Sequence, residues 1–269
     1  MDVALRGLIH ESVIVYLDDV TIYSKKRLDH IYHLRQVLEC CRKYGISLNP
    51  KKLVFAVTED KLLGYIVSSS GMPIEPERIQ AIEKIQMPSN KKGMQSFLGR
   101  INFVKRFVPS FSEVVGPMKN MIKKAFDFKW NELEKEAFTR IKRLITESPA
   151  LLSPNFSKYF YLYTFTSDLS YAGVLTQKND RGDEIPILFT SSAFKGAELN
   201  FPEVEKKAYA MLKVVKHFRP YLLKSKTNII VPFPAVRNLL VQKDLGEKRV
   251  NWVTALQEYE LEIKPSKIV

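Results

Sequence analysis

"YLDDVTIY", residues 16–23, sets two adjacent aspartates, Asp18 and Asp19, in a run of apolar, aromatic and β-branched residues. With "VIV" (13–15) ahead of it, the stretch reads as two strands, 12–17 and 20–23, joined by a turn that carries both acids. Two like charges at a strand turn need water, cations or a metal ion around them. Side chains alternate across a strand, so one acid can face a cleft while the other helps hold an ion. Magnesium suits such a site, because it binds carboxylate oxygens and keeps positions open for substrate phosphates. A pair of such ions activates an attacking hydroxyl and stabilises the leaving group of an in-line phosphoryl transfer. The residues alone leave a second reading open, an exposed Asp-Asp turn without a ligand.

Working outward, residues 1–9 read as the last turns of a helix. A helical spacing runs from Leu28 to Tyr44 through Leu28, Ile31, Leu34, Val37, Leu38 and Cys41, with Gly45 as its C-cap. "LNPKKLVF" (48–55) and "KLLGYIVSSSGMPIE" (61–75) read as short strands. Near Pro73 the texture changes. "EPERIQAIEKI" (75–85) is a short helix, and Ser89 or Asn90 can cap a helix running through Val108. Further helical patterns occupy 113–124 and 131–147. Beyond 155 the period returns to strand in "KYFYLYTFTSD" (158–168), "AGVLTQ" (172–177) and "IPILFTSSAF" (185–194). A long helix over 202–218, a strand over 228–233, a helix over 235–242 and a last strand-like stretch complete the chain. The expected class is α+β, ending in a mixed α/β domain.

The 269-residue chain is 45% hydrophobic, enough for two domains with real cores, and has no run of 18 apolar residues. No basic start followed by an apolar block marks a signal peptide, so an intracellular location, cytoplasmic or nuclear, is expected. Cys40 and Cys41 are adjacent in a helical pattern, poorly placed to bridge each other, and no zinc spacing exists. The formal net charge of +13 calls for an acidic partner, nucleic acid or anionic lipid. Paired lysines at 25, 51, 91 and 123 spread that charge as tracks on folded surfaces.

"YLDDVTIYSK" (16–25), a helix with His30, then "LNPKKLVF", "LLGYIVSSSG" (62–71) and "SFLGRINFVKRFVPSFS" (96–112) together resemble the reverse transcriptase of Gypsy-type LTR retrotransposons. Within that family the sequence looks closest to the plant Tat/Ogre lineage. The resemblance covers the chain from about residue 10, and the order of the motifs makes it specific. It implies that Asp18 and Asp19 are the paired magnesium-binding acids of a polymerase palm. It places Lys52 near the incoming nucleotide's phosphates, with an ordinary surface lysine as the alternative, and Leu53 stands where many relatives have cysteine. It sets Gly64 and Tyr65 in the hairpin that grips the primer end, where glycine permits close approach of a phosphate.

The helical region resembles the thumb. Met94, Phe97, Leu98, Ile101 and Val104 can face a core, while Lys91, Lys92, Arg100, Lys105 and Arg106 fall mostly elsewhere and would lie on a duplex backbone. A merely solvated basic face is the alternative. In the family the palm's other metal-binding aspartate and the nucleotide-binding fingers lie upstream of the paired acids, and the given sequence starts after them. The expectation is a polymerase fragment that does not polymerise alone.

Residues 151–269 resemble the RNase H domain that follows the thumb, which also runs on two metals. Where that domain has "TDAS" on its first strand, this chain has "TFTS" (164–167), with Phe165 in place of the aspartate. The helix glutamate is matched by Glu205 in "NFPEVEKKAYA" (200–210). The acid of a later "TDH" is matched by Phe233 in "PFP" (232–234). Glu205 alone cannot hold two ions, and a helix-surface acid is its plainer reading. Asp168 lies three places from Phe165 and would point to the opposite face. Phenylalanine for acid removes repulsion and adds apolar area, so Phe165 is expected to join the core.

The domains expected are therefore 1–88, the C-terminal palm with its primer-grip hairpin; 89–150, the thumb; and 151–269, an inactive, connection-type RNase H-like domain. The family activity is RNA-directed DNA polymerase with magnesium, the partners a primer–template duplex and the rest of a polyprotein, with no membrane. A non-enzymatic nucleic-acid-binding remnant and an active RNase H are the competing readings.

Overall fold

The computed structural model describes residues 3–9, 11–17, 19–24, 26–55, 57, 59–62, 65–68, 71–123, 127–223, 225–231, 252 and 254–265. Packing divides the chain into two units, 1–57 and 58–269.

In the first unit, β1 (Val13–Tyr16) and β2 (Asp19–Ile22) pair antiparallel, with Val13 opposite Ile22 and Tyr16 opposite Asp19. This register leaves a two-residue connection, so Asp19 opens the second strand instead of sitting in the turn. Two-residue hairpins favour positive φ at their centre, and Leu17 supplies it at +54°. An L-residue with a Cβ pays roughly 1–2 kcal/mol for that conformation. Helix α1 (His30–Lys43) follows a 3-10 turn at Arg27–Asp29. It ends in a full Schellman closure: Ile46 N–H donates to the Cys41 carbonyl at 2.9 Å and Gly45 N–H to Arg42 at 3.3 Å, with Gly45 at φ +65°. Leu5, Val13, Val37 and Cys41 form the buried centre. The apolar stripe of α1 is wider than the face this core covers, since Ile31 and Leu38 stay exposed, as does Leu28 in the turn before it. "LNPKKLVF" is not a strand. Asn49 accepts the Lys51 N–H and starts a 3-10 turn, Pro50–Lys52, and Leu53, Val54 and Phe55 are exposed beyond it.

The second unit begins with an antiparallel hairpin, β3 (Glu59–Leu62) and β4 (Tyr65–Ser68). Five helices follow: α2 (Pro76–Glu83), α3 (Lys91–Asn102), α4 (Phe111–Val114), α5 (Gly116–Met121) and α6 (Glu132–Thr146). Asn90 caps α3 by accepting the Gly93 N–H at 2.8 Å. A capping box joins Asn131 and Glu134 at the start of α6. The helix expected to run through Val108 stops at Asn102, and a 3-10 turn, Lys105–Phe107, takes over. Val108 precedes Pro109 and is extended, as a residue before proline must be. Pro117 near the start of α5 has no amide to donate, which splits the expected 113–124 helix in two.

A five-stranded sheet completes the unit, in the order β7-β6-β5-β8-β9. Its members are β5 (Phe160–Thr166), β6 (Ser170–Lys178), β7 (Glu184–Ala193), β8 (Thr227–Val231) and β9 (Leu261–Pro265). The first three pair antiparallel; β8 is parallel to β5, and β9 to β8. Between β7 and β8 the chain crosses over through α7 (Glu203–His217) and α8 (Arg219–Leu222). α7 sits so close over Gly173 of β6 that a Cβ there would lie 2.4 Å from Val214 Cγ1. One apolar core runs from Phe97, Ile101 and Phe138 of the helices to Phe160, Leu162, Met211 and Ile229 of the sheet layer. Polar latches fasten the two parts. Met72 and Leu151 exchange backbone hydrogen bonds of 2.7 and 3.0 Å. Ser112 N–H donates to Ser191 Oγ at 2.8 Å, and Ser112 Oγ to the Ser191 carbonyl at 3.0 Å. The expected helix over 235–242 lies outside the described residues.

Candidate nucleic-acid interface

Of the two hairpin acids, Asp19 is exposed at the first position of β2, across from Tyr16, and Asp18 lies outside the described residues. Carboxylate oxygens are the right donors for magnesium, but the number falls short. Among the described residues no group of three or more His, Cys, Asp or Glu side chains is placed to hold a metal ion. Just beyond β2, Ser24 Oγ lies 3.1 Å from His30 Nδ1 and 2.7 Å from His33 Nδ1, which fastens the end of the hairpin to α1. Lys52 is exposed on its 3-10 turn.

In the second unit, Gly64 lies outside the described residues, whereas Tyr65 is well fixed. Its ring stacks on Phe103 at 4.6 Å between centroids and 12° between planes, and its hydroxyl donates to the Phe103 carbonyl at 3.0 Å. Guanidinium groups lie on both members of this pair: Arg78 is 4.0 Å from the Phe103 centroid and Arg106 is 5.3 Å from that of Tyr65. Burial pushes the Tyr65 phenol above its ordinary pKa, against the pull of Arg106 and Arg78. Arg78 is a member of this stack that no sequence motif marked; its only signal was a position within a short amphipathic helix.

The amphipathic split of α3 holds for most of the residues expected on each face. Met94, Phe97, Ile101 and Val104 are buried, Leu98 is half-buried, and Lys92, Arg100 and Lys105 are exposed. Arg106 is half-buried beside Tyr65. Lys91 is turned to a local task, its Nζ donating to the Lys123 carbonyl at 3.0 Å.

On the sheet, Phe165 corrects an expectation: it is 55% exposed and not part of the core. Leu162 and Thr164, together with Gly173 opposite Thr164, belong to the face that α7 covers, and alternation turns Phe165 to the other face. Glu205 is half-buried in the first turn of α7. Asp168 is exposed in the β5–β6 turn, where its carbonyl accepts the Lys206 ammonium at 3.0 Å. Phe233 lies outside the described residues.

Residues 1–67 match the reverse transcriptase (RNA-dependent DNA polymerase) family, and residues 130–229 match the RNase H-like domain found in reverse transcriptase. The chain is 31% identical over 259 residues to the transposon Tf2-3 polyprotein of Schizosaccharomyces pombe, a match spanning 93% of the chain and 19% of that polyprotein. It is also 31% identical over 268 residues to the Tf2-7 polyprotein of the same organism, across 96% of the chain and 20% of the relative. The chain thus spans about a fifth of the length of these relatives. The fold is that of the foamy viral protease-reverse transcriptase in complex with double-stranded DNA, with a TM-score of 0.82 at 22% identity over all of this chain and 57% of that one. The same viral protein in complex with an RNA/DNA hybrid gives 0.81 at 22% identity over all of this chain and 37% of that one. Reverse transcriptase sequence followed by an RNase H-like domain, in a homologue of the Tf2 retrotransposon polyproteins, is what this chain carries.

Proposed function

We propose that this chain is a nucleic-acid-binding segment of a retrotransposon RNA-directed DNA polymerase, which holds a primer–template or RNA/DNA hybrid duplex by its backbone. The observation that carries the reading is the division of α3 and the turn after it. An apolar face is sealed into the core, while Lys92, Arg100 and Lys105 point to solvent. Such a face offers affinity that depends on salt and not on sequence. Arg106 stands beside Tyr65 at the start of β4, so the hairpin assigned to the primer grip borders the same surface.

In this reading 1–88 is the C-terminal palm with the primer-grip hairpin, 89–150 the thumb, and 151–269 an inactive RNase H-like connection to the rest of a polyprotein. Asp18 and Asp19 are the palm's metal-binding acids, Lys52 approaches nucleotide phosphates, and Gly64 and Tyr65 border the primer end. Magnesium is the ion these carboxylates would take. Since the described carboxylates do not complete a two-metal site, no chemical step is assigned to the segment. Membership of the Tat/Ogre lineage is a further part of the proposal and rests on resemblance alone.

The test is fluorescence anisotropy of the full chain with a labelled RNA/DNA hybrid over a salt series, alongside primer-extension and hybrid-cleavage assays with magnesium. The expected outcome is binding that weakens steeply with salt, with neither extension nor cleavage. Salt-insensitive binding would remove the backbone reading, and extension by the chain alone would overturn the binding-only reading. Cleavage that disappears in Glu205→Gln would restore an active RNase H.

A further inference from the structure

Positive charge continues past the residues that any motif marks, onto the junction between the helices and the sheet of the second unit. The 3-10 turn bearing Lys105 and Arg106 packs on β7, and α4 packs on both β6 and β7. The Ser112–Ser191 hydrogen bonds fix α4 there. α5 follows α4 after Val115 alone, and its Lys119 reaches back over the Phe111 ring of α4, with Nζ 6.0 Å from the centroid. β7 ends at Ala193, and Lys195 stands two residues on, where buried Phe194 pins the backbone by donating its N–H to the Leu169 carbonyl at 2.9 Å. From the sheet layer, His217 closes α7 with its ring edge-on to Phe218.

These groups feel one another. Desolvation, then Lys105 and Lys195, push the Lys119 ammonium below its ordinary pKa. Desolvation, then Lys105 and Arg106, do the same to the His217 imidazolium, although its side chain still reaches solvent. Among the described residues, none of Lys105, Arg106, Lys119, Lys195 or His217 takes part in an ion pair. The acid that senses Lys195, Glu198, is already engaged by the Tyr209 hydroxyl and the Lys195 N–H. A crowd of like charges drawn from four elements raises the energy of the free protein, and a polyanion offsets it. A single phosphate would engage one or two of these groups, whereas a ridge shared by four elements suits a polymer of phosphates.

We propose that Lys105, Lys119 and Lys195, flanked by Arg106 and His217, form one phosphate-backbone ridge that carries the duplex from α3 across the junction onto the RNase H-like sheet. The inference rests on the duplex-binding reading above and adds contacts from α5 and from the end of β7.

The test uses the full chain and a labelled RNA/DNA hybrid of about 20 base pairs, with anisotropy followed from about 50 to 300 mM salt. Lys119→Gln with Lys195→Gln should weaken binding several-fold and lower the slope of log K against log salt by about 1–2, near 0.9 per lost phosphate contact. Lys119→Arg with Lys195→Arg keeps the charge and should keep the slope. A control pair, Lys129→Gln with Lys158→Gln, removes lysines already paired with Asp127 and Asp180 and should change little. If the double Gln variant binds like the parent while Lys92→Gln with Arg100→Gln weakens binding, the ridge is wrong and the duplex reading stands. If the arginine pair loses the slope as fully as the glutamine pair, charge is not the cause and the ridge is again wrong. If the parent chain does not bind the hybrid at all, the duplex reading fails and the ridge fails with it.

Discussion

At Gly173 the sheet leaves α7 no room for a side chain, and the cost of filling that space follows from the distances. A Cβ at this position would lie 2.4 Å from Val214 Cγ1, 2.9 Å from Cγ2 and 3.2 Å from Cβ. Carbon atoms rest about 3.5–4.0 Å apart, so a methyl at Gly173 requires a shift of about 1 Å. Val214 cannot swing away, because a β-branched side chain in a helix keeps essentially one χ1 rotamer and this one is fully buried. The helix must lift instead. Overpacking of this kind costs about 1–3 kcal/mol, and with both partners on regular elements Gly173→Ala belongs near the upper end. Val214→Ala alone should cost about 1.6 kcal/mol from two lost methyl-sized groups, plus a small cavity term. Once the γ-carbons are gone, only the 3.2 Å approach to Val214 Cβ remains. The double variant should then be about as stable as Val214→Ala alone, a coupling equal to the whole Gly173→Ala cost, about 3 kcal/mol. Urea and thermal unfolding of the four proteins by circular dichroism measures this, at about 2–4 °C per kcal/mol for a unit of this size. A Gly173→Ala variant as stable as the parent, or additive effects in the pair, would refute the reasoning.

His217 has a folded pKa below its ordinary value of 6.5, so between the two values the unfolded chain holds the extra proton and stability falls as pH drops through 6.5. Denaturant midpoints from pH 7.5 to 5 should show this loss, and His217→Gln should flatten it; an unchanged curve would contradict the assignment. Tyr163 behaves in the opposite sense: burial, then its 2.7 Å hydrogen bond to Glu184 and that carboxylate's charge, raise it from 10 to about 12. The folded state keeps that proton longer, so stability is lost as pH rises from 10 towards 12, and Tyr163→Phe should remove a phenol that ionises near 12 from the ultraviolet titration. Tyr65→Phe keeps the stack on Phe103 but removes a donor, and should cost about 1 kcal/mol in chemical denaturation; no loss would mean that the hydrogen bond contributes nothing. Phe165→Asp should change stability by less than about 1 kcal/mol, as a surface strand position does. A loss of about 3–5 kcal/mol, typical of a core phenylalanine, would place that ring inside.

What the sequence revealed and what it hid differ for physical reasons. Elements whose own residues set their limits were legible: α6 begins at an Asn131 capping box, α1 closes at Gly45, and the β1–β2 hairpin follows its apolar runs. The basic and apolar faces of α3 were legible too, because a single helix fixes the direction of each side chain. Breaks imposed by the next segment were harder. The 90–108 pattern stays apolar at helical spacing past Asn102, and only Pro109 and Pro117 hint that the backbone turns there. "LVF" (53–55) has strand composition but pairs with no strand among the described residues. Tyr65 was marked as a nucleic-acid contact, and its stack with Phe103, 38 residues away, depends on tertiary packing that no local pattern encodes. The junction cations were invisible for the same reason, since Lys105, Lys119, Lys195 and His217 are far apart in sequence.

The two acid positions now carry different weights. If Phe165 had replaced an aspartate to strengthen the core, it would be covered; instead it places an aromatic ring in water, near a β5–β6 turn whose Leu169 is 69% exposed as well. Packing therefore gives no reason for the phenylalanine, and the inactive-domain reading rests on chemistry alone, because an aromatic ring cannot ligate magnesium. The hairpin shows the reverse. Leu17 holds a left-handed backbone at φ +54° with its side chain 79% exposed, a cost that no burial of the leucine offsets. What that turn secures is the register that sets Asp19 opposite Tyr16. A strained turn kept beside Asp19 fits a site whose geometry matters, whereas the exposed ring of Phe165 has no packing role to explain it.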